Sequence, residues 1–200
     1  MRETSFRLAD AEIRLVPKPL WGISLASVCT AGAWAAIRAH TLAADNGVCR
    51  FHATGGAHRG VLEAHERWHY HSSTATLTDV WGLCPQCHAI FHPGRTLAHK
   101  GQSALQQLAV FYAQRADIAT SEAFNRYDDA FQRHRILSET PRWTISLQAV
   151  ESFFPLKIRK SARETLTAHI WSGNPFRLPR DAKAHGTRPN CPLSQIPDKP

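Results

Sequence analysis

The sequence predicts an α+β fold, a small core stapled by cysteine and histidine and surrounded by α-helices. Three observations carry this. Eight of the twelve histidines fall between positions 52 and 99. Two x-x-spaced pairs, Cys49-Arg-Phe-His52 and Cys84-Pro-Gln-Cys87, are separated by 31 residues. One strand-like stretch lies between those pairs, and helical patterns flank the whole region.

Taken in order, residues 1–13 carry no pattern. Ala33 to Ala44 reads as a helix, closed by Asp45-Asn46-Gly47, because Asn and Gly tolerate the left-handed conformation that ends helices. Residues 48–60 hold Cys49, His52 and paired glycines and predict a loop or knuckle. Val61 to Tyr70 alternates in part and predicts a strand, with the Ser/Thr-rich residues 71–78 as a link. Asp79 to Leu83 leads into Cys84, and a short helix follows through His92, stopped by Pro93-Gly94. Gly101 to Asp117 repeats apolar residues at Leu105, Leu108, Val110, Phe111 and Ala113, the stripe of an amphipathic helix. Ser121 is a candidate cap for the next helix, Glu122 to Leu137. Trp143 to Leu147 alternates as a short strand, and Leu156 to Trp171 reads as a further helix. The organisation expected is an N-terminal segment 1–13, a core with its leading helix at 14–98, a helical extension at 99–150, and an arm at 151–200.

The formal net charge is +8, which favours a polyanionic partner. From Leu156 to Pro200 there are nine Lys/Arg against three Asp/Glu, so this segment carries +6 of the total, and it holds six of the twelve prolines. A basic, Pro-rich end predicts a partly disordered arm that binds nucleic acid or is simply solvated. The apolar stretch Leu20 to Ile37 is too rich in small residues for a membrane helix, and Val16-Pro-Lys-Pro19 breaks the approach to it. A soluble, cytoplasmic protein is expected. Five cysteines, one close pair and three singles, do not form a disulfide framework.

The two spaced pairs suit a tetrahedral zinc site. Each knuckle presents two ligands on one turn, and the long excursion brings the turns together. Cys49, His52, Cys84 and Cys87 are therefore candidate ligands of a structural Zn²⁺; the competing reading is a reduced dithiol with a separate buried thiol. His88 and His92 stand at i and i+4, so on a helix both imidazoles share a face. With His65 from the preceding strand they make a candidate site for a second cation with open coordination positions.

At these residues the chain resembles the HNH endonucleases, the ββα-metal or His-Me finger family, in its zinc-stapled form. The motif residues are "LEAHE" at 62–66 and "DVWGLCPQCHAIFH" at 79–92. The looser match over roughly residues 15–150 follows the order of a bacterial and phage group in which HExWxY replaces the commoner His-His pair. The resemblance implies a ββα-metal core, structural zinc, and a catalytic cation (Mg²⁺, Mn²⁺, Ni²⁺ or Zn²⁺) on His65, His88 and His92. His52 stands where the family usually has a second cysteine. Asp79 stands where the middle Asn is usual, and Asp accepts that residue's hydrogen bonds but cannot donate. Glu66 stands where most members carry the histidine that activates water. Three readings follow: Glu66 is the general base; Glu66 binds metal and His69 or His71 is the base; or the register slips and His65 is the base. Trp68 and Tyr70 are expected to pack rather than stack on bases.

The function implied is metal-dependent hydrolysis of phosphodiester bonds in double-stranded DNA, with Arg67, Arg95 and Lys100 as candidate phosphate contacts. A single such site cuts one strand, so double-strand cleavage calls for a homodimer or two events. Two other classes fit the same residues. One is an inactive zinc module that binds nucleic acid; the other is a zinc protein that works through protein partners.

Overall fold

The computed structural model describes residues 7–44, 46–52 and 61–147, and the backbone of 170–171. The expected arm at 151–200, and the helix expected from Leu156, lie outside the described residues except at Ile170–Trp171, which form a short strand.

The N-terminal segment makes two 3₁₀ turns, Leu8–Asp10 and Lys18–Leu20, then the short helix α1 (Leu25–Val28) and the surface helix α2 (Ala31–Ala44). Residue Asn46 takes a positive φ of 53° and Gly47 one of 65°. The Gly47 amide donates back to the Leu42 carbonyl at 2.9 Å, the helix stop expected from the sequence. Strands β1 (Glu63–His71) and β2 (Thr74–Leu83) pair antiparallel, and β3 (Thr144–Ser146) and β4 (Ile170–Trp171) add in parallel, giving the order β1-β2-β3-β4. Helix α3 (Pro85–Ile90) follows β2, α4 (Pro93–Ala116) packs against α3, and α5 (Thr120–Ser138) packs against α4. No helix among the described residues is long and apolar enough to cross a membrane.

The link expected at 71–78 is mostly strand. Thr74, Thr76 and Thr78 are β-branched and alternate with Ala75 and Leu77, which are buried, and that alternation is a strand pattern despite its polar appearance. The connection shrinks to Ser72-Ser73, both with positive φ, 44° and 62°, as a tight primed hairpin turn requires. Two further expectations shift. Pro93 begins a helix instead of stopping one, because a first-turn proline lacks only an amide that would be unpaired anyway. Helix α5 starts at Thr120, with Ala119 at its cap and no side-chain cap bond, so Ser121 lies inside the helix. The boundary expected between 98 and 99 falls within α4, which instead breaks its geometry at Gly101 (φ 80°, ψ −178°), a conformation essentially reserved for glycine.

A bulge in the hairpin sets which side chains face where. Arg67 pairs with Asp79 and Trp68 with Leu77, leaving Thr78 without a partner. One extra residue reverses the facing of everything beyond it. Ala75 and Leu77 accordingly join Leu25, Ile37, Trp143 and Ile145 on one side of the sheet. Trp81 and Leu83, also odd-numbered, join Phe91, Tyr112 and Tyr127 on the other. The second cluster also contains Cys49, Cys84 and Cys87, so the cysteine knuckles and the long helices share one core. Arg115 on α4 reinforces this by donating to the Phe51 carbonyl at 2.7 Å.

Candidate metal centres

Two groups of ligating side chains converge among the described residues. In the first, one donor atom from each of Cys49, His52, Cys84 and Cys87 lies within 4.8 Å of the others. Four bonds of about 2.3 Å in a tetrahedron would separate sulfurs by about 3.8 Å, so the cluster has the size a metal ion needs. Its local geometry follows from two turns. The His52 amide donates to the Cys49 carbonyl at 2.9 Å, closing the first knuckle, while Arg50 N donates to Gly82 O at 3.0 Å and ties it to β2. Cys84 caps α3, and its sulfur accepts from the Cys87 amide at 3.5 Å. The His52 Nε2 to Cys84 Sγ distance is 3.7 Å. A hydrogen bond from the Cys87 thiol, outweighing the cost of burial, lowers the Cys49 pKa to about 5. The cluster can hold a metal ion, and three thiols with one imidazole are the donor set of structural zinc. Among the described residues, Cys29, Cys49, Cys84 and Cys87 are buried and form no disulfide.

The second group is His65, His88 and His92. His65 projects from β1; its ring centroid is 5.1 Å from that of His88 and 5.0 Å from that of His92. The Nε2 atoms of His88 and His92 are 2.9 Å apart. The two do not share one continuous helix. α3 ends at Ile90, and His92 has non-helical φ/ψ (−124°, 50°) just before Pro93, because a proline disfavours helical geometry in the residue before it. One remaining turn, with His92 N donating to Ala89 O at 2.9 Å, still brings the rings together. Burial, then the neighbouring His92, His88 and Arg67 charges, keeps His65 well below its ordinary pKa. Burial, then His88 and Arg95, lowers His92 to about 3. Both imidazoles are thus neutral at pH 7, as ligands must be. His65 Nδ1 is buried with no hydrogen-bond partner, and an orphaned buried nitrogen among two other imidazoles fits a bound cation.

Glu63 was not singled out from the sequence. Its carboxylate lies 2.5 Å from His88 Nδ1, which orients the ring and turns Nε2 toward the other histidines. Metal-ligating histidines commonly have such a carboxylate on the second nitrogen. The available signal was parity: Glu63 is two residues before His65, on the same face of β1. The expected outcome for Glu63→Gln is a 10- to 100-fold loss of affinity at the three-histidine centre, checked by titrating Mn²⁺ or Ni²⁺ calorimetrically.

The other candidate residues are placed as follows. Glu66 Oε1 accepts from the Leu25 amide at 2.8 Å and Oε2 from Trp68 Nε1 at 2.9 Å, so its carboxylate holds the start of α1 against β1. Burial raises its pKa to about 7 against the opposing bonds from Trp68, Leu25 and Ala26. Strand alternation sends it to the face opposite His65, but β1 is the edge strand. A small cavity along that edge is lined by His65, Glu66, Arg67 and His92 together. Asp79 lies on β2, where Oδ1 accepts from Val80 N at 2.8 Å and Oδ2 from Trp81 Nε1 at 2.7 Å, with Arg50 at 3.7 Å. Each of these partners donates, so a carboxylate serves there without the donor that Asn would add. Trp68 and Tyr70 pack on the Leu25 side of the sheet, Tyr70 edge-on to Trp143 at 5.7 Å. Arg67 is committed: its guanidinium lies 4.1 Å from the Trp81 ring centroid and donates to Glu12 O at 3.0 Å. Arg95 and Lys100 are exposed on α4, and His69 and His71 at the end of the hairpin.

No protein-family model matches the chain, and neither a curated protein nor a solved structure does.

Proposed function

We propose that the chain is a metal-dependent endonuclease of the HNH type, hydrolysing phosphodiester bonds in DNA. The observation that carries the reading is the meeting of His65, His88 and His92 between the first hairpin strand and the helix after it, beside a separate cluster of three cysteines and a histidine. One group is closed by four protein ligands, as structural zinc requires; the other has three, as a catalytic cation requires. The hairpin followed directly by α3 is also the order that the ββα-metal resemblance implies.

A divalent cation on the three histidines would supply neutralisation of the phosphate and of the leaving 3′ oxygen. The protein's own residues supply the rest. Glu63 fixes the His88 ring. Glu66, immobilised by the Leu25 amide and the Trp68 indole, takes the proton from the water that attacks phosphorus; a carboxyl raised to about 7 by burial is matched to that task. Asp79 braces the strand opposite Arg67. Arg95 and Lys100, exposed on α4, are free to meet flanking phosphates, which adds affinity without sequence choice. Arg67 lines the cavity wall itself and, stacked on Trp81, is withdrawn from that set of contacts. Double-strand cleavage by such a site takes two events or a homodimer.

One observation favours the non-catalytic module: both Glu66 oxygens already accept hydrogen bonds. Supercoiled plasmid separates the two. Nicking that needs Mg²⁺, Mn²⁺ or Ni²⁺ and stops with EDTA is the expected result. Salt-sensitive binding of DNA with no cleavage under any of these metals selects the inactive module.

A further inference from the structure

We infer that the pocket between the N-terminal segment, β1 and α5 is a subsite for a phosphodiester group of the nucleic-acid strand, flanking the three-histidine centre. This inference deepens the nuclease reading and rests on it. The pocket has a volume of about 180 Å³, far more than the roughly 10–15 Å³ that a water needs. Its polar walls are Glu12, Arg14, His69, Arg133 and His134, over a floor that includes Tyr70 and Leu137.

Charge decides what the pocket prefers. Arg14, Arg133 and Arg67 all act on the single carboxylate of Glu12. Burial raises its pKa, but the Arg14 hydrogen bond and the three guanidinium charges lower it below its ordinary value. Two of these guanidiniums, Arg14 and Arg133, line the pocket with the one carboxylate, a formal excess of +1, and Arg67 adds to the positive field from the neighbouring cavity. Arg133 is the least committed of them. Its guanidinium is 3.5 Å from Glu12 Oε1 and 3.3 Å from Ile13 O, and its side chain is 46% exposed. Donors in a fork with long existing contacts can close on an anion bidentately. His69, at the rim, is exposed and feels the same field: burial and then the Arg14 charge lower its pKa.

Position ties the pocket to the proposed chemistry. Arg14 and Tyr70 line both this pocket and the small cavity holding His65, Glu66 and His92. A strand with one phosphate at the histidines therefore has a second positively charged recess next along β1. A phosphodiester group, with its sugar against the Tyr70 and Leu137 floor, satisfies both the charge and the apolar walls.

The test is binding of a short fluorescent DNA duplex by the full, zinc-loaded chain without Mg²⁺ or Mn²⁺, at several salt concentrations. Arg133→Ala is expected to weaken binding about tenfold and to reduce the salt slope by about 1, the loss of one phosphate contact. Arg135→Ala removes the same charge from an exposed position on the same helix outside the pocket, and is expected to change binding less than twofold. His69→Glu puts a carboxylate at the rim without touching the Glu12 contacts, so it tests the pocket even if Arg133→Ala melts early; a tenfold or greater loss is expected. Equal effects of Arg133→Ala and Arg135→Ala, no effect of His69→Glu, or no binding of the duplex would overturn the subsite. The plasmid assay keeps the two readings apart. Metal-dependent nicking with no Arg133 effect removes the subsite alone, and Arg133-dependent binding without nicking removes the nuclease alone.

Discussion

Cys84→Ser is expected to unfold the core, with loss of the cooperative melting transition and of bound zinc. Cys84 has three tasks. It is a donor in the four-residue cluster, it caps α3, and its sulfur accepts the Cys87 amide. A serine hydroxyl can replace the cap bond but is a poor ligand for a metal held by thiolates. Structural zinc contributes on the order of 10–16 kcal/mol to small zinc-dependent folds, whereas a domain's whole stability is about 5–15 kcal/mol. The metal term therefore exceeds what the remaining packing can replace. The location of the cluster makes the effect global: Cys49, Cys84 and Cys87 lie in the same buried group as Phe91, Tyr112 and Tyr127, so losing the staple loosens the base of α4 and α5 as well as the knuckles. Metal analysis and circular dichroism check this. About one zinc per chain is expected to survive mild chelation. A Cys84→Ser protein that melts like the original would show that the thiols are only a buried, reduced cluster.

The sequence made the cysteine and histidine clusters legible because ligand spacing is local. Cys49-x-x-His52 and Cys84-x-x-Cys87 each occupy one turn, and a turn's geometry is set by its own few residues. His65, His88 and His92 met for a related reason, although the helix expected to join His88 and His92 breaks before Pro93. Facing and pairing were harder to read. Thr74 to Thr78 looks polar in isolation; only the burial of Ala75 and Leu77 between β1 and β3 makes it a strand. The bulge at Thr78 leaves no trace in composition, yet it decides that Trp81 faces the metal side. The partners of Glu63 and Glu66 were also hidden, because each lies far away in sequence: His88 for Glu63, the Leu25 amide for Glu66.

His65→Ala and Glu66→Gln are expected to abolish plasmid nicking in different ways, and the difference assigns their roles. His65 is 7% exposed and offers one of three donor atoms to the second centre. Removing it leaves two histidines, too few to hold a divalent cation tightly, so both the metal and the activity should be lost. Glu66 belongs to the cavity wall and not to the three-histidine cluster. Its replacement by Gln keeps size and one acceptor oxygen, and removes a proton acceptor worth about 10²- to 10⁴-fold in rate. The expected result is a protein that binds Mn²⁺ or Ni²⁺ like the original at the second centre and nicks at least about a hundredfold more slowly. The amide nitrogen of Gln must face either the Leu25 amide or the Trp68 indole, both donors, so a modest drop in melting temperature should accompany it. Loss of metal on Glu66→Gln would instead make Glu66 a ligand and shift the search for the base to His69 or His71. Undiminished nicking by both proteins would remove the three-histidine centre from the chemistry altogether.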